Sequence, residues 1–294
     1  MESALRYGGP AVFVLLWSTG FVGAKYGLPY ADPFPFLALR LALAAGLLGL
    51  LTAGSRSALP QSRAQYGHAA LVGVLLHACY LGGVFTGISL GVPAGVAAVI
   101  TSLQPVLTAV LAVRMLGEQL QTAQRAGLLL GLVGVALVLA PGLRGAHAVP
   151  LSGVLACAVA LATGTAATLY QKRHGGEVPL LSGTAVQYAA AAAALLLAAG
   201  VTGQHRITWT GEFVLALAWL VVVLSLGAVL LLLALLQRGT ASGVSSLFYL
   251  VPPATAVEAL LLFDERLAAM SVLGIAVAAV GVALVVRRQV VAPA

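Results

Sequence analysis

LQPVLTAVLAVRMLGE at residues 103–118 and VPPATAVEALLLFDE at residues 251–265 follow one plan. Each runs through proline, then apolar residues, and ends on an acid. The likeness extends outward. GVPAGVAAVITSLQPVLTAV from Gly91 aligns with GTASGVSSLFYLVPPATAVE from Gly239, so that Gly95 meets Gly243, Val96 meets Val244 and Pro105 meets Pro253. After a slip of one residue Glu118 meets Glu265, Gly127 meets Gly274, and GVAL from Gly134 meets GVAL from Gly281. Ahead of this block the match thins to Thr19-Gly20 against Thr163-Gly164. One element is therefore written twice, about half a chain apart.

Composition says where it lives. The chain has 294 residues, 61% hydrophobic and 8% charged, with a mean hydropathy of +1.05. A soluble domain is about a quarter charged, so this chain reads as a multi-pass membrane protein. The formal net charge of +7 sits between apolar runs, where basic residues set topology, and gives no nucleic-acid signal. Cys79 and Cys157 lie inside apolar runs and form no metal-ligand spacing; no metal or other cofactor is implied. Two lysines against thirteen arginines fit a GC-rich bacterial source.

A span needs about 20 mostly apolar residues. Polar breaks then give ten: 8–28, 34–54, 67–87, 92–113, 122–141, 150–170, 179–201, 212–236, 240–262 and 268–286. Unbroken helices are expected, because lipid cannot satisfy free backbone groups. The first run follows Arg6 like a signal peptide, but its counterpart later in the chain makes it a span. On one side of these spans fall Arg6, Arg56, Arg63, Arg114, Arg125, Lys172, Arg173, Arg238, Arg287 and Arg288; the other side holds Lys25, Arg144, Arg206 and Arg266. Ten against four puts both termini in the cytoplasm, in a bacterial inner membrane. Spans 1–5 (8–142) and 6–10 (150–288) form the two copies. Five is odd, so the second copy enters from the opposite face. The fold class expected is all-α, ten transmembrane helices as two inverted five-helix repeats within one membrane domain.

WSTGFVGAKYG from Trp17, DPFPFLALR from Asp32, the proline-bearing span ending in LGE and its recurrence as VPPATAVEALLLFDE together resemble the EamA family of the drug/metabolite transporter superfamily. Within it the pattern is most similar to YddG-type exporters of aromatic and other nonpolar amino acids. The second half has no W-x-x-x-F…R entry, so features tied to that entry do not carry to spans 6 and 7. The resemblance implies a transporter moving a small, moderately apolar solute outward by alternating access around a midplane cavity.

Candidate residues follow from cost. Proline removes a backbone bond to the carbonyl four residues back, so Pro105, Pro252 and Pro253 would free the carbonyls of Thr101, Phe248 and Tyr249 mid-span, as hinges or as acceptors for a substrate ammonium. His77 with Tyr80 forms a polar face on span 3, suited to substrate or to a bonded core histidine. Arg40 and Glu258 lie about 9 Å inside the outer ends of spans 2 and 9; they would pair as an outer gate, or Arg40 would snorkel. Trp17 and Phe248 are the aromatic residues favoured for stacking on substrate, with Tyr249 beside the prolines. Glu118, Asp264 and Glu265 would cap the helices that follow them. GISLG at 87–91 matches a nucleophile elbow, but Ser89 lacks the strand-to-helix turn and the placed partners, so an enzyme is not expected. Proton-coupled efflux of lipophilic cations is the alternative; it would want a carboxylate deeper than Glu258.

Overall fold

A computed structural model of the chain describes residues 9–116, 122–143, 149–175, 178–229, 231, 232, 235 and 247–287. Arg6, Glu118, Arg144, Arg238, Gly243, Val244 and Arg288 lie outside the described residues. The described residues are helical, with no β-strand beyond one isolated bridge, Ala31 to Ile207. Five helices are individually long and apolar enough to cross a membrane: Pro33–Gly54, Arg63–Ser89, Leu151–His174, Leu180–Thr202 and Gly211–Ala228. Shorter apolar helices accompany them, among them Arg125–Leu139 and Ala269–Leu284.

In chain order the elements are α1 Gly9–Gly27, α2 Pro33–Gly54, and α3 Arg63–Gly73, which runs through a π segment Val74–Tyr80 into α4 Leu81–Ser89. Then come α5 Ala94–Ser102, α6 Gln104–Leu116, α7 Thr122–Leu139, α8 Leu151–His174 and α9 Leu180–Thr202. α10 Gly211–Ala218 continues as a second π segment, Trp219–Ala228. A 3-10 turn, Phe248–Leu250, leads into α11 Val251–Phe263, and α12 is Ala269–Arg287.

The expectation of unbroken helices is corrected at spans 4 and 9. Span 4 breaks at Leu103, and α6 starts at Gln104, so Pro105 sits in its first turn. Pro252 and Pro253 sit in the first turn of α11, after the 3-10 turn. Proline is tolerated there, because the first turn needs no N–H from it. The freed carbonyls are largely taken up: those of Ile100 and Thr101 accept N–H groups capping α5, and that of Phe248 accepts the cap N–H at Val251. The prolines begin new helical segments instead of kinking long ones.

The chain forms two compact units. Unit 1 is Met1–Val22, Leu90–Leu155 and Gly227–Ala294; unit 2 is Gly23–Ser89 and Ala156–Leu226. Neither is one half of the sequence. Unit 1 holds spans 4 and 5 with their counterparts 9 and 10; unit 2 holds spans 2 and 3 with 7 and 8.

In unit 1, α7 packs on α12 and α5 on α11. Glycine brings the first pair together: a Cβ on Gly134 would lie 2.5 Å from the Ala278 backbone, and one on Gly281 would lie 2.5 Å from that of Gly131. Small residues serve such contacts because apolar area gives no advantage over lipid between helices. The acids at the end of span 9 take partners other than the start of the next helix. Glu265 accepts the Ala94 N–H at 3.1 Å, capping α5, while Asp264 terminates α11 in a left-handed conformation and pairs with Arg266 at 2.9 Å. The packing of α11 on α5 brings the carboxylate there.

In unit 2, α9 packs along α2 and α3. At 22 residues α2 is about 33 Å long. At its start Asp32 holds Arg206 by the backbone N–H at 2.9 Å and the guanidinium at 3.3 Å, and Gln204 Oε1 accepts the Phe34 N–H at 3.1 Å. Beyond its other end Ser182 donates to the Ala58 carbonyl at 2.7 Å. The loops paired here are those the ten-span reading puts on the same side.

Candidate functional site

Unit 2 carries a polar cluster inside its apolar helices. Arg40 is 4% exposed, and its Nε donates to Ser225 Oγ at 3.2 Å. Tyr188 is buried beside Ser225 and feels the Arg40 charge. His77 stands edge-on to Tyr188, ring centroids 4.7 Å apart, and its Nε2 lies 3.3 Å from Gln187 Oε1. Each member is positioned by a local device. Gly73 lets α3 touch the α9 backbone, since a Cβ there would fall 2.2 Å from the Gln187 carbonyl. One turn later the π segment widens the helix at His77, and the second π segment carries Ser225. Such segments recur at functional sites.

Among the described residues the partners of His77 are Gln187, Tyr188 and the Arg40 charge, which is the bonded core histidine of the two readings; Tyr80 lies in the same π segment. Arg40 does not snorkel: it is buried and held by Ser225.

At one end of unit 2, His68 Nδ1 meets the Tyr170 hydroxyl at 2.6 Å, and His174 stacks on both rings, at 4.9 and 4.4 Å. They line a cavity of about 40 Å³ that also touches Gln187, room for about one water. Gln187 thus faces this cavity and the His77 cluster alike.

Unit 1 has its own group. Trp17 and Phe248 are both half-buried and meet at 5.1 Å, with Phe13 at 5.3 Å from each. Ser18, fully buried, lies 2.6 Å from Glu258 Oε1 and 2.9 Å from the Leu15 carbonyl. Glu258 Oε2 and Thr255 Oγ1 are enclosed with no hydrogen-bond partner among the described residues. The Thr101 hydroxyl turns back to the Ala97 carbonyl at 2.9 Å, and Tyr249 is buried. Arg40 and Glu258 therefore each hold a serine hydroxyl within their own unit. Ser89 bonds the Thr86 carbonyl at 2.8 Å. Among the described residues no cluster of three or more His, Cys, Asp or Glu could hold a metal ion.

Gln187, Tyr188, Ser225, Ser18, Thr255 and Phe13 were not singled out from the sequence. A signal existed for the first two, since QY is a polar pair in the middle of span 7, followed by apolar residues to its end. The lone hydroxyls carry none.

The family model described as "EamA-like transporter family" matches twice, over residues 11–140 and 151–287. This chain belongs to the EamA-like transporter family. It is 30% identical over 281 residues to the uncharacterized transporter YvbV of Bacillus subtilis (strain 168), covering 94% of this chain and 89% of that protein. A "probable amino-acid metabolite efflux pump" of Escherichia coli (strain K12) is 27% identical, over 89% of this chain and 88% of the pump. A WAT1-related chloroplastic protein of Arabidopsis thaliana is 25% identical over 97% of this chain and 72% of its own. One solved structure superposes with a TM-score of 0.68 at 22% identity over 99% of both chains, which supports the fold. EamA membership makes this a multi-pass membrane transporter with a small-molecule substrate.

Proposed function

We propose that this EamA transporter exports small, moderately apolar solutes, in particular aromatic and other nonpolar amino acids, by alternating access. Its ten spans would form two inverted five-helix repeats in the inner membrane, with both termini in the cytoplasm. One observation carries the amino-acid reading: a buried polar cluster, Arg40–Ser225–Tyr188–His77–Gln187, among apolar helices. A solute with a charged head and an apolar body matches such surroundings, and the efflux-pump relative supports that class. In unit 1 the Trp17–Phe248 pair offers ring faces for an apolar side chain.

A second reading, proton-coupled efflux of lipophilic cations, is favoured by Glu258, a carboxylate with one oxygen enclosed and unpaired. The two separate in reconstituted liposomes, by counterflow over a panel of amino acids and lipophilic cations with and without a pH gradient. Amino acids are expected to exchange. Exchange of cations alone, driven by the gradient, would replace the first reading with the second; a panel in which nothing moves would overturn both. Trp17→Ala and Phe248→Ala are each expected to lower the rate of phenylalanine exchange by about tenfold, the loss of one aromatic contact worth roughly 1–1.5 kcal/mol. Unchanged rates in both would remove the rings from the path.

A further inference from the structure

We propose that Arg40 is a carboxylate receptor, so that the transported solute must carry a carboxylate, taken by the outer nitrogens of the guanidinium. The inference deepens the amino-acid reading and rests on the chain being a transporter.

Arg40 is the eighth residue of α2, about 10 Å from its start, and is 4% exposed. A buried guanidinium is costly unless paired and hydrogen-bonded. Among the described residues of its unit it has neither a carboxylate nor a full set of acceptors. Unit 2 has three acids in sequence, Asp32, Glu177 and Glu212. Asp32 is bound to Arg206, Glu212 stands in the first turn of α10, and Glu177 lies outside the described residues. Among the described residues the side chains that interact with Arg40 are Ser225, Tyr188 and His77, none of them a carboxylate.

The hydrogen bonds distinguish the three nitrogens of the guanidinium. Ser225 occupies Nε, and neither Nη has a hydrogen-bond partner among the described residues. Neither Nη is among the fully enclosed unpaired polar atoms, so a small opening reaches the fork. Two parallel N–H donors with no acceptor match the two oxygens of a carboxylate, a geometry in which arginine binds both at once. Ser225 holds the plane of the guanidinium through Nε and is thereby a positioning residue. Tyr188, which feels the Arg40 charge, stands edge-on to His77 on the same cluster. Gln187 carries the polar surface from there to the His68–Tyr170–His174 cavity.

The test uses the full chain in liposomes preloaded with one of five unlabelled probes: phenylalanine, 3-phenylpropionate, phenylalaninamide, phenethylamine or phenyl phosphate. Uptake of labelled phenylalanine is read. The two carboxylates are expected to drive exchange about thirtyfold better than the amide and the amine, the loss that follows when a buried charge is left unpaired. Arg40→Gln should collapse that ratio to about threefold or less. Arg40→Lys should keep its direction with weaker half-saturation, since lysine gives charge without the fork. Ser225→Ala should raise the half-saturation for phenylalanine and leave the maximal rate unchanged; it also serves as the second variant should Arg40→Gln fail to fold, as read by gel filtration and thermal unfolding. Amines that exchange as well as acids in the unaltered protein would overturn the assignment while leaving the transporter reading intact. So would phenyl phosphate as the preferred probe, or a full carboxylate preference in Arg40→Gln. If Glu258→Gln reproduced the Arg40→Gln loss and the charge-swapped double variant restored exchange, Arg40 would serve an internal ion pair and the assignment would fall. No exchange of any probe would overturn the transport reading beneath it.

Discussion

At the scale of single residues, the chain's polar groups divide into those that close their hydrogen bonds locally and those that do not. Thr101, Thr52 and Thr165 return their hydroxyls to their own helices at 2.7–2.9 Å. Thr255 does not, although it is fully buried and one turn from Glu258. Replacing an unpaired buried hydroxyl by a methyl group of the same shape removes a penalty of about 1–3 kcal/mol. Thr255→Val should therefore raise the thermal unfolding temperature in detergent. If transport falls in the same variant, the hydroxyl is kept for a ligand; if stability falls, it has a partner in the membrane. Ser18→Ala works in the opposite direction: it strips Glu258 of its hydroxyl and should lower stability by about 1 kcal/mol, the net worth of one hydrogen bond, by the same unfolding measurement. The sequence exposes these sites unevenly. Arg40, His77 and Glu258 are legible, because an ionisable group in an apolar run is costly and so informative. Ser18, Thr255 and Ser225 are not, because a hydroxyl can satisfy itself on its own helix and usually leaves no mark.

At the scale of elements, spans 3, 4, 8 and 9 all depart from a plain α-helix, and unit 2 shows how one departure places chemistry. The π segment of span 3 starts at Val74, directly after Gly73, the point where α3 meets the α9 backbone. Close contact there sets Gln187 and Tyr188 beside the widened turn that carries His77. Gly73→Ala would drive a methyl group into the Gln187 carbonyl, 2.2 Å away, with backbone on both sides and no flexible side chain to yield. A cost of about 1–3 kcal/mol is expected, seen as a lower unfolding temperature, together with weaker phenylalanine exchange as the helices separate at His77. Gly46→Ala, at a glycine with nothing within 4 Å, is the control and should change neither. Proline announced the interruptions of spans 4 and 9, since its missing N–H is visible in any sequence. It did not announce their form, because a proline reads alike in a kink and in a first turn. The two π segments had no such herald: VLLHACY and WLVVVLSLGA contain no residue type that demands i→i+5 bonding.

At the scale of the molecule, interleaving is the property the repeat explains. Each unit takes matching spans from both halves, so neither half can pack without the other. The aligned glycines and prolines made the duplication readable, while the division into units depends on which equivalents pack and was not written in any one stretch. Unit 2 also supplies a test of orientation. Its helices α2 and α9 run antiparallel, with Asp32–Arg206 joining loops at one end and Ser182–Ala58 joining loops at the other. About 33 Å of apolar helix separates these ends. Arg56, Arg63, Lys172 and Arg173 gather at the Ala58 end; Lys25 and Arg206 lie at the other. Basic residues are retained on the cytoplasmic side, so the Ala58 end should face inward. With Cys79 and Cys157 replaced by alanine, Gln61→Cys and His205→Cys place single thiols at exposed positions on the two ends. In intact cells an impermeant maleimide is expected to label His205→Cys and to reach Gln61→Cys only after the membrane is opened. The reverse pattern would invert the orientation and turn the proposed export reading into one of uptake. Labelling of both in intact cells would mean that the two loop clusters do not lie on opposite faces, and the ten-span topology would fall with it.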